Sequence, residues 1–177
     1  MLAQNDPCAP DLVDTDTGVC TGNQSEGVDG ATDIQPGADT LIVKDLDGPI
    51  VTTGDGEDGI SFERGSGLSV TIESGEPGDG VDIDTSGSEA HGIDARSIGQ
   101  NGNGQAGGGL PVSAYGNITT AGVESAGIVA ISGGGSGSNG GNHTFVDGGD
   151  GGTGGTGGPV VVRGDAHIET ESDRASG

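Results

Sequence analysis

The sequence predicts an all-β protein, a parallel β-helix (β-solenoid) with Gly-rich loop insertions, from three observations. β-Branched residues alternate with polar ones in many short runs, which is the pattern of strands with one buried face. No window of useful length shows the 3.6-residue period of a helix. Large side chains are scarce, since Trp is absent, aromatic residues make up 2% of the chain and Gly supplies 41 of 177 residues. Such a composition suits the thin core of a solenoid better than the thick core of a sandwich.

Disorder is the main alternative to this fold, because low hydrophobicity and high net charge are typical of disordered chains. The apolar fraction is 29% and the net charge is −23. The apolar residues are nevertheless clustered and alternating, whereas a disordered chain scatters them. The charge also argues against nucleic acid and anionic membranes as partners, and no apolar run approaches the length of about 18 residues that a membrane helix needs.

Residues 1–24 are predicted to form an N-terminal cap that contains a disulfide. Cys8 and Cys20 are the two cysteines of the chain, and they lack both C-x-x-C spacing and a neighbouring histidine. This arrangement favours a disulfide in an oxidising compartment over a metal or redox site. The loop-entropy argument gives such a short disulfide about 3 kcal/mol of stabilisation. The opening MLAQNDPCAP resembles a start Met placed before the end of an export cleavage site, so we expect an exported protein.

Residues 25–177 are predicted to form a β-solenoid fragment built on a recurring motif. The motif is a small or polar residue, then Gly, then Ile or Val, as in DGISFE (58–63), DGVDID (79–84), HGIDAR (91–96) and AGIVAI (126–131). The Gly suits a tight bend with a positive φ. The residues expected to face inward are Ile42, Ile50, Ile60, Val70, Ile72, Val81, Ile83, Ile93, Val112, Ile118, Ile128, Val160, Val162 and Ile168.

Two Gly-rich insertions are predicted, at residues 99–109 and 133–158. Each insertion begins after a copy of the motif and ends at an apolar run, LPVSAYG or PVVV. A solenoid tolerates such insertions because loop-closure entropy rises slowly with length. We expect their G-G-x runs to pack against each other as extended backbone, since no Cβ intrudes.

The second half of the chain resembles the passenger region of bacterial type V autotransporters. The pattern G-I-x-A-x-S is matched by Gly127, Ile128, Ala130 and Ser132. The later V-x-V and I-x-T patterns are matched by Val160, Val162, Ile168 and Thr170, and a further copy of the second part is matched by Gly116, Ile118 and Thr120. The resemblance implies a right-handed β-helical passenger of a Gram-negative bacterium, exported through the periplasm and followed by an outer-membrane barrel that is missing from this sequence.

Calcium is the one cofactor that the sequence suggests, because clustered carboxylates and turn carbonyls are its preferred ligands. Neither the EF-hand spacing nor the complete repeats-in-toxin pattern is present, so the candidates rest on clustering alone. They are Asp55, Glu57, Asp58, Asp79, Asp147 and Asp150.

No catalytic residue is predicted. His91, His143 and His167 are interpreted as surface histidines, because no serine-protease arrangement surrounds them. Asp82 and Asp84 alternate with apolar residues and should point outward, where they serve either acid–base chemistry or solvation.

The predicted function is that of a non-catalytic, secreted bacterial surface protein fragment, a β-helical stalk used for adhesion or surface structure. Its expected partners are host or neighbouring-cell surfaces. Two alternatives remain open at this point. One is a self-associating, fibre-forming module that pairs through the exposed end at residues 159–170, and the other is a passenger enzyme acting on polysaccharide.

Overall fold

The structure, a computed structural model, describes residues 5–10, 16–65, 69, 71–102, 104–138 and 152–171. Over these ranges the chain is all-β. No helix in them is long and apolar enough to span a membrane. The strands are β1 (Ala9–Pro10), β2 (Thr17–Gly22), β3 (Val28–Asp29), β4 (Thr40–Leu46), β5 (Ile50–Thr52), β6 (Ile60–Arg64), β7 (Thr71–Ser74), β8 (Ile83–Thr85), β9 (Ile93–Ile98), β10 (Leu110–Ala114), β11 (Asn117–Thr120), β12 (Ile128–Gly133), β13 (Val160–Gly164) and β14 (His167–Thr170).

The strands form three sheets that the chain visits in rotation. The first sheet has the order β1-β2-β4-β7-β10-β13, the second β5-β8-β11-β14 and the third β3-β6-β9-β12. From β4 to β12, each strand of the first sheet is followed by one of the second and then one of the third, and β13 is followed by β14 of the second sheet. Neighbouring strands pair in parallel throughout the described residues, except for the antiparallel pair β1–β2.

The predicted right-handed parallel β-helix is wrong. The strands lie in three separate sheets, and the first of these is mixed, because β1 runs antiparallel to β2. The physical reason is that alternation reports only which face of a strand is buried. It encodes neither the number of sheets nor the handedness of the connections between them. The observed fold is an all-β arrangement of three mostly parallel sheets.

The core consists of aliphatic side chains that stand in register on neighbouring strands. In the second sheet, Ile50 aligns with Ile83 and Ile83 with Ile118, and their exposed fractions are 0%, 0% and 1%. The third sheet aligns Ile60 with Ile93 in the same way. One hydrophobic cluster joins the inward faces of all three sheets, so burial of apolar surface stabilises the sheets together.

The glycine of the recurring motif is required by close packing and not by a positive φ. Gly59 and Gly92 have no φ in the left-handed range. A Cβ built on Gly59 would overlap Cγ2 of Ile83, and one on Gly92 would overlap Cγ2 of Ile118. The expectation of a positive φ is therefore wrong at these positions. At Gly59, Gly92 and Gly127 the motif marks where the chain enters the third sheet beside an isoleucine of the second sheet, whereas Gly80 precedes β8 of the second sheet and packs against Gly116.

The two Gly-rich segments occupy equivalent places in the chain. Residues 99–109 connect β9 to β10, and residues 134–159 connect β12 to β13, so each joins the third sheet to the next strand of the first sheet. Gly133, the first residue of the predicted insertion at 133–158, is the last residue of β12. Part of this segment, residues 139–151, lies outside the described residues.

The described parts of these segments pack together as a layer held by backbone hydrogen bonds. We call residues 99–102, 104–109, 134–138 and 152–158 the glycine layer. Gly135 N–H donates to Gln105 O at 2.8 Å, and Gly155 N–H donates to Gly135 O at 2.8 Å. A Cβ on Gly135 would overlap the carbonyl of Gln100, and one on Gly155 would overlap Gln105 O. The backbones therefore approach more closely than any residue with a side chain allows.

Candidate functional site

One end of the sheets is covered by the N-terminal residues 5–10. Cys8 and Cys20 form a disulfide across 12 positions of sequence, which ties this segment to β2. Asp6 N–H donates to Asn23 O at 2.7 Å, and Asn23 N–H donates to the Asp6 carboxylate at 2.8 Å. These contacts hold residues 5–10 against β2 and the residues directly after it. We call this region the capped end.

The capped end also covers the edges of the second and third sheets. Asn5 Nδ2 donates to Gly27 O at 2.6 Å, and Glu26 N–H donates to Asn5 Oδ1 at 3.0 Å. Val51 of the edge strand β5 donates its N–H to Ser25 O at 3.1 Å. Backbone groups at this end are thus engaged by the chain itself, which protects an edge from pairing with another chain.

The opposite end has no such cover among the described residues. The strands β12, β13 and β14 are each the last of their sheet and pair on one side only. Val162 is 51% exposed and Ile168 is 46% exposed, whereas their partners one strand earlier, Val112 and Ile118, are 0% and 1% exposed. We call β12, β13 and β14 the open end. It presents the apolar row that is core everywhere else in the described sheets.

The outer edge of β13 carries backbone groups that point away from the molecule. Leu110 N–H donates to Pro159 O at 2.9 Å, and Leu110 aligns with Val160. In a parallel ladder alternate residues face the same neighbouring strand, so Pro159 and Val161 face β10. Val160 and Val162 therefore direct their N–H and C=O groups toward the free edge.

An acidic cavity of about 410 Å³ lies at the capped end. Its carboxylate-bearing lining residues are Glu26, Asp29, Asp33, Glu57 and Asp58. Two of these carboxylates accept hydrogen bonds from nearby backbone. Asp33 accepts one from Asp29 N–H at 2.7 Å, and Glu57 accepts one from Gly54 N–H at 2.9 Å. The geometry thus describes carboxylates that fix turns beside an acidic recess.

The residues proposed from the sequence as calcium ligands fall in separate places. Asp55, Glu57 and Asp58 share the turn between β5 and β6, and Asp79 lies in the turn between β7 and β8. The remaining two candidates, Asp147 and Asp150, lie outside the described residues. Among the residues that the structure describes, no group of three or more His, Cys, Asp or Glu side chains is arranged to hold a metal ion.

A ladder of hydrogen bonds links the residues that precede the motif glycines. His91 N–H donates to Asp58 Oδ1 at 2.7 Å, and Ala126 N–H donates to His91 Nδ1 at 3.0 Å. Burial raises the pKa of Asp58 above its ordinary value of 3.8, and the hydrogen bond from His91 N–H opposes this rise. His91 is thus part of a structural ladder. His167 is exposed in β14, and His143 lies outside the described residues.

Asp82 and Asp84 both point outward from the second sheet, as the alternation predicts. Asp82 Oδ1 accepts hydrogen bonds from Asn117 N–H at 3.0 Å and from Asn117 Nδ2 at 2.9 Å. Asp82 also lines a cavity of about 460 Å³ together with Asp45 and Asp79. These contacts make Asp82 a link between neighbouring chain segments and do not indicate a reacting pair with Asp84.

The sequence reasoning identified residues 159–170 as an exposed end but missed the residues that close the opposite one. Asn5 and Asp6 carry no motif, and the only sequence signal at these positions is that Asn and Asp side chains readily accept hydrogen bonds from nearby backbone. Comparison of the chain with protein families, with curated proteins and with solved structures found no match.

Proposed function

We propose that this chain is a non-catalytic structural module of an exported bacterial surface protein, of the autotransporter passenger kind, that serves surface structure or adhesion. The observation that carries the proposal is the unbroken, in-register core. Ile50, Ile83 and Ile118 are buried one beside the next, and one apolar cluster joins the inward faces of all three sheets. Such a core couples distant parts of the chain, which is the property that a stiff spacer needs.

Three further features support an exported location. The Cys8–Cys20 disulfide ties down the capped end, and stable disulfides are typical of oxidising compartments. The net charge of −23 favours solubility and weak non-specific adhesion. The match of Gly127, Ile128 and Ala130 to the passenger pattern points in the same direction.

The mechanical role can be tested by pulling single molecules from their two ends in an optical trap. We expect cooperative rupture events that release most of the chain, because the buried rows unfold together. Reduction of the disulfide, or the double variant Cys8→Ser/Cys20→Ser, should lengthen the fully extended chain by roughly 40 Å, since the bridge spans 12 positions. Smooth extension without rupture would show that the chain is not a stiff module and would refute the proposal.

Adhesion and catalysis are separated by two further readouts on the same protein. Beads coated with the chain, compared with beads coated with the thermally unfolded chain, report binding to bacterial or host cells. Incubation with soluble polysaccharides reports the release of reducing ends. Sugar release that is lost in Asp84→Asn would contradict the non-catalytic proposal.

A further inference from the structure

We propose that Asn101 is a modification site, at which the Asn101–Gly102 pair deamidates by reaction with water only when the glycine layer opens. The product marks, irreversibly, each copy of the protein whose layer has opened. This inference goes beyond the proposed function, because it holds whether the module serves adhesion or surface structure. It rests on the chemistry of an Asn–Gly pair and on the contacts that Ser136 makes with both reacting groups.

The reaction needs only the Asn–Gly pair and water. The main-chain nitrogen of Gly102 loses its proton to water and attacks Cγ of Asn101. A bond forms between this nitrogen and Cγ, and the bond from Cγ to Nδ2 breaks. Nδ2 takes up a proton from water and leaves as ammonia, so a five-membered succinimide ring remains. Water then opens the ring at either carbonyl, which gives aspartate or isoaspartate without any oxidant or reductant.

The glycine after Asn101 makes this pair intrinsically reactive. Gly102 has no Cβ to obstruct the approach of the Asn101 side chain, and its φ is +87°, a conformation that glycine adopts readily. Both residues are exposed to solvent, so water reaches them. Asparagine is also among the thermolabile residues of proteins. In an open chain we therefore expect this pair to deamidate.

The closed layer holds the attacking nitrogen in a hydrogen bond. Gly102 N–H donates to Ser136 O at 2.8 Å, an ordinary distance for a well-formed bond. Ser136 O also accepts a hydrogen bond from Gly104 N–H at 3.1 Å. Amide groups held in this way react with solvent through local opening of the structure. The nitrogen of Gly102 is therefore protected from losing its proton while the layer is closed.

The same serine holds the side chain that is attacked. Asn101 Oδ1 accepts a hydrogen bond from Ser136 N–H at 3.0 Å and another from Ser136 Oγ–H at 3.3 Å. These two bonds restrain the rotation that brings Cγ onto the Gly102 nitrogen. Because Ser136 holds both reacting groups, deamidation depends on the separation of residues 99–102 from residues 134–138.

Deamidation prevents the layer from closing again in the same form. The backbones approach closely here, since a Cβ on Gly135 would overlap the Gln100 carbonyl. Isoaspartate adds one carbon to the main chain, which displaces Gly102 N–H from Ser136 O. Both products add a carboxylate, whereas no described residue of the glycine layer has a charged side chain. The change is permanent because ammonia is lost.

The test is mass spectrometry of the full chain during prolonged incubation at mildly alkaline pH. Electron-based fragmentation separates Asn101 from Asn103 and aspartate from isoaspartate. A synthetic peptide of residues 97–108 gives the rate in the absence of the layer. We expect Asn101 to deamidate at least about tenfold more slowly in the folded chain than in the peptide, because the reaction needs local opening. An equal or faster rate in the folded chain would overturn the proposal.

Two variants test whether the layer is the cause of this protection. Gly135→Ala introduces the overlap with the Gln100 carbonyl, whereas the Cβ of the matched control Gly154→Ala lies 3.5 Å from Gly135 O. Neither variant changes the sequence beside Asn101, so its intrinsic reactivity is the same. We expect Gly135→Ala to deamidate about fivefold faster than the wild type or more, the factor that a modest overpacking penalty produces.

Gly154→Ala should keep the wild-type rate of deamidation at Asn101. Thermal melting by circular dichroism establishes that both variants retain the folded core. The comparison of the wild-type chain with the peptide needs no variant, so it decides the proposal even if Gly135→Ala does not fold. Equal rates in two folded variants would show that the glycine layer does not control the reaction and would overturn the proposal.

Discussion

At the scale of single residues, close packing requires glycine at several positions, because a Cβ atom there would overlap a neighbouring atom. Gly92 lies so close to Ile118 that a Cβ would overlap its Cγ2 methyl and approach Gly127 O at 2.6 Å. The recurring glycine is therefore a packing requirement. A second feature of single residues is the partly buried carboxylate of Asp58, which accepts a hydrogen bond from His91 N–H.

Replacing Gly92 by Ala should destabilise the protein by about 1–3 kcal/mol, the usual range for overpacking a tight core. The reason is that both neighbours are held in place, Ile118 in β11 and the Gly127 carbonyl by the hydrogen bond from Ile93 N–H at 2.9 Å. Urea unfolding followed by circular dichroism measures the change. Gly48→Ala is the control, because no atom lies within 4 Å of its Cβ position; equal losses in the two variants would contradict the packing argument.

Replacing Asp58 by Asn should raise the melting temperature at pH 7. Burial raises the pKa of Asp58 in the folded state above 3.8, so the folded state binds a proton more readily than the unfolded state. The charged carboxylate therefore costs stability at neutral pH, and this cost disappears as pH falls through the raised pKa toward 3.8. Asn keeps an oxygen acceptor for His91 N–H.

The measurement for Asp58 is a series of thermal melts between pH 3 and pH 8. The wild-type and Asp58→Asn curves should converge at the acidic end, while Asp58→Ala should be less stable throughout, since it leaves His91 N–H without its acceptor. An Asn variant that is less stable than the wild type at pH 7 would show that the charge contributes to stability.

At the scale of elements, the sequence predicts which segments form strands, but it does not determine in every strand which residues face inward. Ile42 was expected to face inward, yet its neighbours Leu41 and Val43 are the buried residues, both at 0% exposure. The run LIV is apolar at every position, so alternation cannot choose between its two faces. Phe62 is also fully buried and was not among the expected inward residues.

The outer strands show a second limit of sequence reasoning. Val160, Val162 and Ile168 have the same local pattern as core residues and were expected inward, yet each is more than 40% exposed. Their burial depends on a following strand, and no local pattern reports whether one is present. Similarly, the pairing of Asn5 with Glu26 and Gly27 joins residues far apart in sequence, which no spacing rule reveals.

The glycine layer gives a prediction at the element scale. Gly135→Ala should destabilise this layer, because its Cβ would overlap the Gln100 carbonyl. Gly154→Ala is matched in composition and location, but its Cβ would lie 3.5 Å from Gly135 O, an ordinary contact. Limited proteolysis should therefore cleave the Gly135→Ala protein faster than the Gly154→Ala protein. Equal cleavage rates would indicate that the layer is not closely packed.

At the scale of the whole molecule, the three sheets share one core, which the described residues cover at one end and leave uncovered at the other. The Cys8–Cys20 bridge and residues 5–10 cover β2 and the residues directly after it. The last strand of each sheet has a neighbour on one side only. The acidic surface discourages non-specific contact with other molecules.

The most direct test of this account is residue-resolved amide hydrogen exchange by NMR at low protein concentration. The account predicts slow exchange for the amides of the central strands β7 to β11, and within β13 slower exchange at Val161, which faces β10, than at Val160 and Val162, which face the free edge. Uniformly fast exchange would show that the shared core does not exist, and equal protection along β13 would show that its outer edge is not open.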